Sequence, residues 1–266
     1  MSGSSDPELL RRLVEFELAL DRDSSESVME FDWGRLIYNP AEAAMWSSNY
    51  LEVRSTQLNA AALVALADEL QGSRGIDHRD VVPVDPSHGE RLVPEFDALD
   101  GWETQRSLYM LLRRPPDREA LPAKEVPHAA VEAVRRAVGE DDPNFTQEAV
   151  EEQLIRGARL ERLGHGRWFA APADGPPAAS CVLYERDGVG QVETVETVPE
   201  HRGQGLARAV VMAAANASRE AGHELTFIVA DADDWPWKLY EKLGFDRVGE
   251  FCSFLRKPPQ LREPSP

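Results

Sequence analysis

Two stretches of this 266-residue chain end alike. One reads "LDGWETQRSLYMLLRRP" and the other "LGFDRVGEFCSFLRKP". In each, an aromatic follows a glycine, an alternating segment runs on, and two basic residues precede a proline. Trp102 stands 13 positions before Pro115, and Phe245 stands 13 before Pro258. Upstream of each, the order strand, long helix, strand recurs. A recurrence of this kind points to two copies of one supersecondary plan rather than one continuous core.

"RRPPDREALPAKEVP", residues 113–127, holds four prolines among many charges and reads as a linker between the copies. The expected organisation is a domain at 1–112, the linker at 113–127, a second domain at 128–258 and a disordered tail at 259–266.

Local signals fill in the elements. Asp6 before Pro7 reads as an N-cap with proline at the first helical position, and Leu9, Leu10, Leu13, Val14 and Leu18 follow at helical spacing. "RLIYN" and "NYLEVR" read as strands, "QLNAAALVALADEL" as a helix, "RDVVPV" as a strand and "GERLVPEFDAL" as a helix bent at Pro94. "SLYMLLR" reads as the closing strand of the first copy. In the second copy, helices are expected at 128–138 and about 146–158, the latter capped by Thr146. The strands "GRWFAA", "ASCVLYER" and "GQVETVETV" follow, then a helix at about 205–221. The strand "ELTFIVA", a helix at about 235–243 and the strand "EFCSFLRK" complete the copy.

Charge narrows the function. The net charge is −18, from 47 acidic and 29 basic residues, and no basic run exceeds Arg-Arg. Binding to a phosphate backbone or an anionic membrane would need a basic patch that the chain does not display. The acidic excess reads either as solubility or as a field that favours a cationic substrate such as an amine, and charge alone does not decide between them. Two cysteines, Cys181 and Cys252, make neither a disulfide framework nor a metal cluster, and both read as core residues. The histidines show no ligand spacing, so no metal is expected. The polar start "MSGSSDPELL" has no secretory character, which places the chain in a reducing cytoplasm.

The stretch that carries chemistry is "ETVPEHRGQGLARAVV". A strand ends near Val198 and a helix starts near Gly205. Gly203 and Gly205 let the backbone approach a ligand closely, because no Cβ intervenes. Free amides at a helix N-terminus, with the helix dipole behind them, bind anions, and Arg202 adds positive charge. The spacing is Arg202-x-x-Gly205-x-Ala207, and "LYEKLGF" follows about 35 residues later. Taken together, this set resembles the GCN5-related N-acetyltransferase (GNAT) family. That family's signature is Q/R-x-x-G-x-G/A after the fourth strand, with a later tyrosine in an L-Y-x-x-x-G-F segment. The resemblance covers 128–258, and the first half resembles a degenerate, truncated second copy.

What the resemblance implies is an α+β fold, two GNAT-like domains with mixed twisted β-sheets flanked by helices. It implies acetyl-CoA as the donor and a small-molecule or peptide amine as acceptor, attacking the thioester directly in a ternary complex. Nucleic acid and membrane partners are not expected, and a homodimer stays open. The pyrophosphate would rest on the turn Arg202, Gly203, Gln204, Gly205, Leu206 and Ala207, with Arg208 behind it. Pantetheine would pair with the backbone at Val195, Glu196 and Thr197. Tyr240 is the expected acid for the leaving thiolate. Glu193 is the expected base and Glu196 its competitor. Being three apart, the two glutamates face opposite sides of a regular strand unless a bulge intervenes. Asp233 stands where many relatives carry an asparagine; it either meets the ligands or, with Asp234, caps the helix ahead of Pro236. Trp235 and Trp237 are candidates for the channel wall or the core. The first half has no glycine turn after "NYLEVR", so no acetyl-CoA site is expected there. A CoA-binding sensor or scaffold without catalysis is the alternative function, and an interaction module that binds no CoA is a third.

Overall fold

The computed structural model describes residues 6–142 and 146–261. The chain forms two compact units that do not follow one another in sequence. One is Leu108–Val248, and the other joins Asp6–Ser107 to the chain from Gly249 onward. The domains expected at 1–112 and 128–258 thus exchange part of their closing strands.

The N-terminal unit begins with helix α1 (Pro7–Ser24), where Asp6 accepts a hydrogen bond from the Leu9 amide as its cap. Strands β1 (Ser27–Phe31), β2 (Gly34–Tyr38) and β3 (Tyr50–Val53) form an antiparallel run. β1 is a strand without a sequence signal: its residues are half-buried or exposed, so no apolar alternation marks it. Helix α2 (Ala60–Leu70) then crosses over to β4 (Arg79–Pro83), which pairs parallel to β3 with Leu51 opposite Val81. Helix α3 (Pro86–Phe96) carries Pro94 without ending there, and β5 (Glu103–Leu112) follows. The core of this unit gathers Leu36, Leu51, Leu63, Val81, Leu92 and Phe96 with Phe254. Phe96 stacks on Phe254 with ring centroids 4.0 Å apart.

In the second unit, strand β6 (Lys124–Val126) leads to a 3-10 turn at His128–Ala130 and helix α4 (Glu132–Asp141), so the helix expected at 128–138 starts late. Thr146 caps α5 (Gln147–Arg162) through the Ala149 amide. Strands β7 (Gly166–Ala171), β8 (Ala179–Arg186) and β9 (Val189–Thr197) run antiparallel with β6 at the edge. Helix α6 (Leu206–Glu220) crosses to β10 (Leu225–Asp231), parallel to β9, and helix α7 (Pro236–Lys242) leads into β11 (Phe245–Arg256). In β11 the C-terminal end pairs antiparallel with β4, Phe254 opposite Val81. One face of the sheet packs on α6 through Phe169, Cys181, Leu183, Val192, Val210 and Ile228. Burying each large apolar side chain of this set stabilises by roughly 1.5–3 kcal/mol.

Residues 113–127 are no free linker. The Arg113 and Arg114 amides donate to Gly244 O at 3.0 and 3.1 Å, and the Asp117 amide donates to Lys242 O at 2.8 Å. Prolines there remove donors and stiffen the chain, but the remaining amides still find acceptors. Of the tail expected at 259–266, Pro259–Leu261 is a 3-10 turn and the rest lies outside the described residues. No helix among the described residues is long and apolar enough to cross a membrane.

Candidate active site

A cleft of about 560 Å³ opens where β9 and β10 part. Their parallel pairing runs from Val189 opposite Leu225 to Val192 opposite Ile228. Both strands continue beyond that point, β9 to Thr197 and β10 to Asp231, without pairing further. Val195, Glu196 and Thr197 line the opening, and their backbone is not paired to β10.

The turn after β9 forms the mouth. Gly203 and Gly205 have φ of +77° and +82°, the left-handed region where a side chain is strained. Among the described residues, nothing lies within 4 Å of where a Cβ on Gly203 would stand. Gly205 is itself the N-cap of α6 and supplies no side-chain cap. The first helical bond runs from the Ala209 amide to Gly205 O at 3.1 Å, so the preceding amides have no partner within the helix. The residues present fit the diphosphate of an acyl-CoA: a bare turn, open space and an uncapped 15-residue helix whose dipole favours an anion.

The arginines are already engaged. Arg202 donates to Thr197 O at 3.3 Å and pairs with Asp141 at 3.1 Å. Arg208 is buried and bonds Asp117 Oδ1 at 2.6 Å and Arg118 O at 3.3 Å. It lines the cleft, but its guanidinium ties down the 113–127 segment.

A bulge decides where the glutamates point. Val182 faces Glu193 and Ser180 faces Glu196, so two steps on β8 match three on β9. Thr194, at φ +52°, absorbs the extra residue. Residues directly opposite in a sheet share a face, and Val182 and Ser180 share one, so Glu193 and Glu196 share it too. The opposite-face expectation for a regular strand therefore gives way to the bulged case. Arg135 of α4 lies on this side: it is buried, its Nε is 3.5 Å from Glu196 Oε2, and it stacks over Trp168. Gln191 Nε2 donates to Glu193 at 3.1 Å. Burial raises the pKa of Glu193 above the usual carboxylate value, against hydrogen bonds from Thr194 and Gln191. Burial raises Glu196 as well, with Arg135 opposing.

Tyr240, on α7, is buried yet lines the cleft. Its phenol pKa is raised, first by burial and then by the Glu193 charge, so it stays protonated through neutral pH. Cys181 points the other way, donating to Val210 O at 3.3 Å under α6 with its thiol pKa raised by burial. That is a packed core thiol rather than a nucleophile.

Other expectations shift. Neither Asp233 nor Asp234 caps α7; Trp235 holds that position without a side-chain bond. Asp233 is exposed and its amide donates to Asp231, whereas Asp234 lines the cleft. Trp235 borders the cleft while Trp237 sits at the core edge beneath Arg247, 4.1 Å from its ring. Sequence reading missed Arg118, Val138 and Leu239 in the lining and Arg135 beside Glu196, and it reads His201 as a solvated turn residue, which is exposed in its turn but also borders the cleft. Only the face of α4 and the path of residues 113–127 could have singled out Val138, Arg135 and Arg118, whereas Leu239 stands beside Tyr240 in the quoted "LYEKLGF".

In the N-terminal unit, the start of α2 is capped by the chain's own side chains: Glu95 accepts from the Ala60 amide at 2.9 Å and Asn59 accepts from the Ala62 amide at 3.0 Å.

Comparison with known proteins agrees with this geometry. A GCN5-related N-acetyltransferase from Kribbella flavida shares the fold over 93% of this chain and 95% of its own, at 17% identity and a TM-score of 0.61. A functionally unknown conserved protein from Staphylococcus epidermidis aligns over 88% of this chain and 94% of its own, at 13% identity and a TM-score of 0.64. A GNAT-family acetyltransferase from Colwellia psychrerythraea covers 95% and 98%, at 12% identity and a TM-score of 0.51. No curated protein matches the sequence. Residues 131–245, which carry most of the cleft, match the family model of the acetyltransferase (GNAT) family.

Proposed function

We propose that this protein is an N-acetyltransferase that moves an acetyl group from acetyl-CoA to a primary amine, a small molecule or a peptide. The observation that carries the reading is the uncapped, left-handed glycine start of α6 beside parted strands, with Glu193, Glu196 and Tyr240 close by. Amides 203–207 hold the diphosphate, and the backbone of Val195–Thr197 pairs with the pantetheine arm.

Glu193 takes the proton from the attacking ammonium, directly or through a water. An ordinary ammonium has a pKa near 10, so the base must be close and well placed rather than strong. The amine nitrogen bonds to the thioester carbon, the carbon–sulfur bond breaks, and Tyr240 gives its proton to the leaving thiolate. Glu196 remains the competing base. The acceptor is a cation before it reacts, and Glu196 in the cleft lining, with Glu193 on the same face of β9, favours it. The N-terminal unit is a degenerate copy of the same fold: antiparallel strands, a crossover helix and a parallel strand recur in the same order, without a phosphate turn.

The exposed Asp233, in place of the family's frequent asparagine, favours a second reading, a sensor that binds acyl-CoA without turnover. Thiol release from acetyl-CoA with a panel of primary amines separates the two. Amine-dependent release that falls at least about tenfold in Tyr240→Phe, with acetyl-CoA affinity unchanged, supports the enzyme. Tight acetyl-CoA binding with no release for any amine supports the sensor.

A further inference from the structure

The segment from Arg113 to Pro127 takes no part in the chemistry above, yet it runs beside the cleft and is fixed at both ends. At one end Arg113, Arg114 and Asp117 hang from the carbonyls of Gly244 and Lys242. At the other, β6 pairs with β7, Lys124 opposite Ala170. Between them, Asp117 binds the buried Arg208, and the same guanidinium donates to Arg118 O. That bond to Arg208 holds the Asp117 carboxyl below its ordinary pKa. The backbone of Arg118 is thus pinned to the first turn of α6. Nearby, Leu121 Cδ1 lies 3.9 Å from where a Cβ on Gly205 would stand.

Arg118, Arg202 and Arg208 all line the cleft. Arg202 and Arg208 are paired with Asp141 and Asp117. For the exposed guanidinium of Arg118, the structure records no hydrogen bond or ion pair among the described residues. A pinned backbone, an open guanidinium and a mouth lined by free helix amides are the parts of a phosphate clamp. A guanidinium fork matches phosphate oxygens two at a time, and a fixed main chain lowers the ordering cost of using it.

We propose that Arg118 closes a phosphate of bound acyl-CoA against the N-terminus of α6, which makes residues 113–127 a ligand-binding strap. The inference rests on the acyl-CoA reading given above. The phosphate is either the diphosphate or the ribose 3′-phosphate.

The test is calorimetric titration of the full chain with CoA and with 3′-dephospho-CoA. Arg118→Ala weakens CoA binding about tenfold, and Arg118→Lys, which keeps the charge and loses the fork, falls between. Arg113→Ala removes an equal charge from the same strap outside the cleft lining and changes affinity by less than about twofold. Loss with CoA alone assigns Arg118 to the 3′-phosphate; equal loss with both ligands assigns it to the diphosphate. Wild-type affinity in Arg118→Ala overturns the clamp. Absence of CoA binding in the folded wild type overturns the acyl-CoA reading and the clamp together. Because Arg118 is exposed, its variants keep the wild-type melting midpoint, which separates a binding loss from a folding loss.

Discussion

Gly244 and Gly203 both sit at positive φ, +98° and +77°, yet alanine at the two positions has very different consequences. At Gly203 nothing among the described residues lies within 4 Å of the new Cβ, so only the left-handed backbone matters, about 1–2 kcal/mol. At Gly244 the Cβ would stand 2.0 Å from Arg114 O and 2.8 Å from Arg114 C. Those are backbone atoms, so the strap itself must move by about 1 Å before contact becomes tolerable. Overpacking of that kind costs about 1–3 kcal/mol. Moving the strap also strains the two bonds from the Arg113 and Arg114 amides to Gly244 O, each contributing about 0.5–1.5 kcal/mol. Gly244→Ala is therefore expected to destabilise by about 3–8 kcal/mol, against about 1–2 kcal/mol for Gly203→Ala. Urea unfolding of both variants measures the difference, and amide exchange locates it: Arg113 and Arg114 exchange faster in Gly244→Ala alone. Equal destabilisation of the two variants, or unchanged exchange at Arg113 and Arg114, would refute the reasoning.

Three further outcomes follow from buried charge. Glu52 is fully buried against Arg22, Arg35 and Arg54, so Glu52→Gln leaves three guanidinium groups short of a carboxylate. Urea unfolding should show a loss of about 3–5 kcal/mol. Asp80 is half-buried with its Oδ1 buried and unpartnered among the described residues, and burial pushes its pKa up to about 8. The folded state then keeps a proton that the unfolded chain has released, so this group lowers stability as pH rises from its ordinary value of 3.8 toward about 8. Asp80→Asn should match wild type near pH 3.5 and exceed it by more than about 1 kcal/mol at pH 8.5, read by denaturation at each pH. Burial likewise raises Glu193, so as the base its activity appears with rising pH through a value above the ordinary carboxylate range. Glu193→Gln should lower kcat by about 10²–10⁴ and remove that limb from the pH–rate profile.

Local chemistry made much of this molecule readable in advance. Asp6 and Thr146 cap helices because a short oxygen-bearing side chain satisfies a free amide in any surroundings. The Gly203–Gly205 turn and Tyr240 were marked by residue type and spacing. What stayed hidden depends on pairing between distant segments. The bulge at Thr194 exists only as a mismatch between β8 and β9, and without it Glu193 and Glu196 cannot share a face. β11 divides between the two units because its far end pairs with β4, about 170 residues earlier, a choice that no local window contains. The strap looked like a linker because proline and charge speak to local stiffness, not to the carbonyls of Gly244 and Lys242 that hold it.

Titration with acetyl-CoA, wild type beside Gly205→Glu, tests the central claim most directly. The substitution places bulk and negative charge at the left-handed cap of α6, at the mouth of the cleft. Wild type is expected to bind in the micromolar range, about −8 kcal/mol, and the folded variant to bind at least about a hundredfold more weakly. A folded wild type that gives no binding, or a variant that binds as well as wild type, would contradict the account.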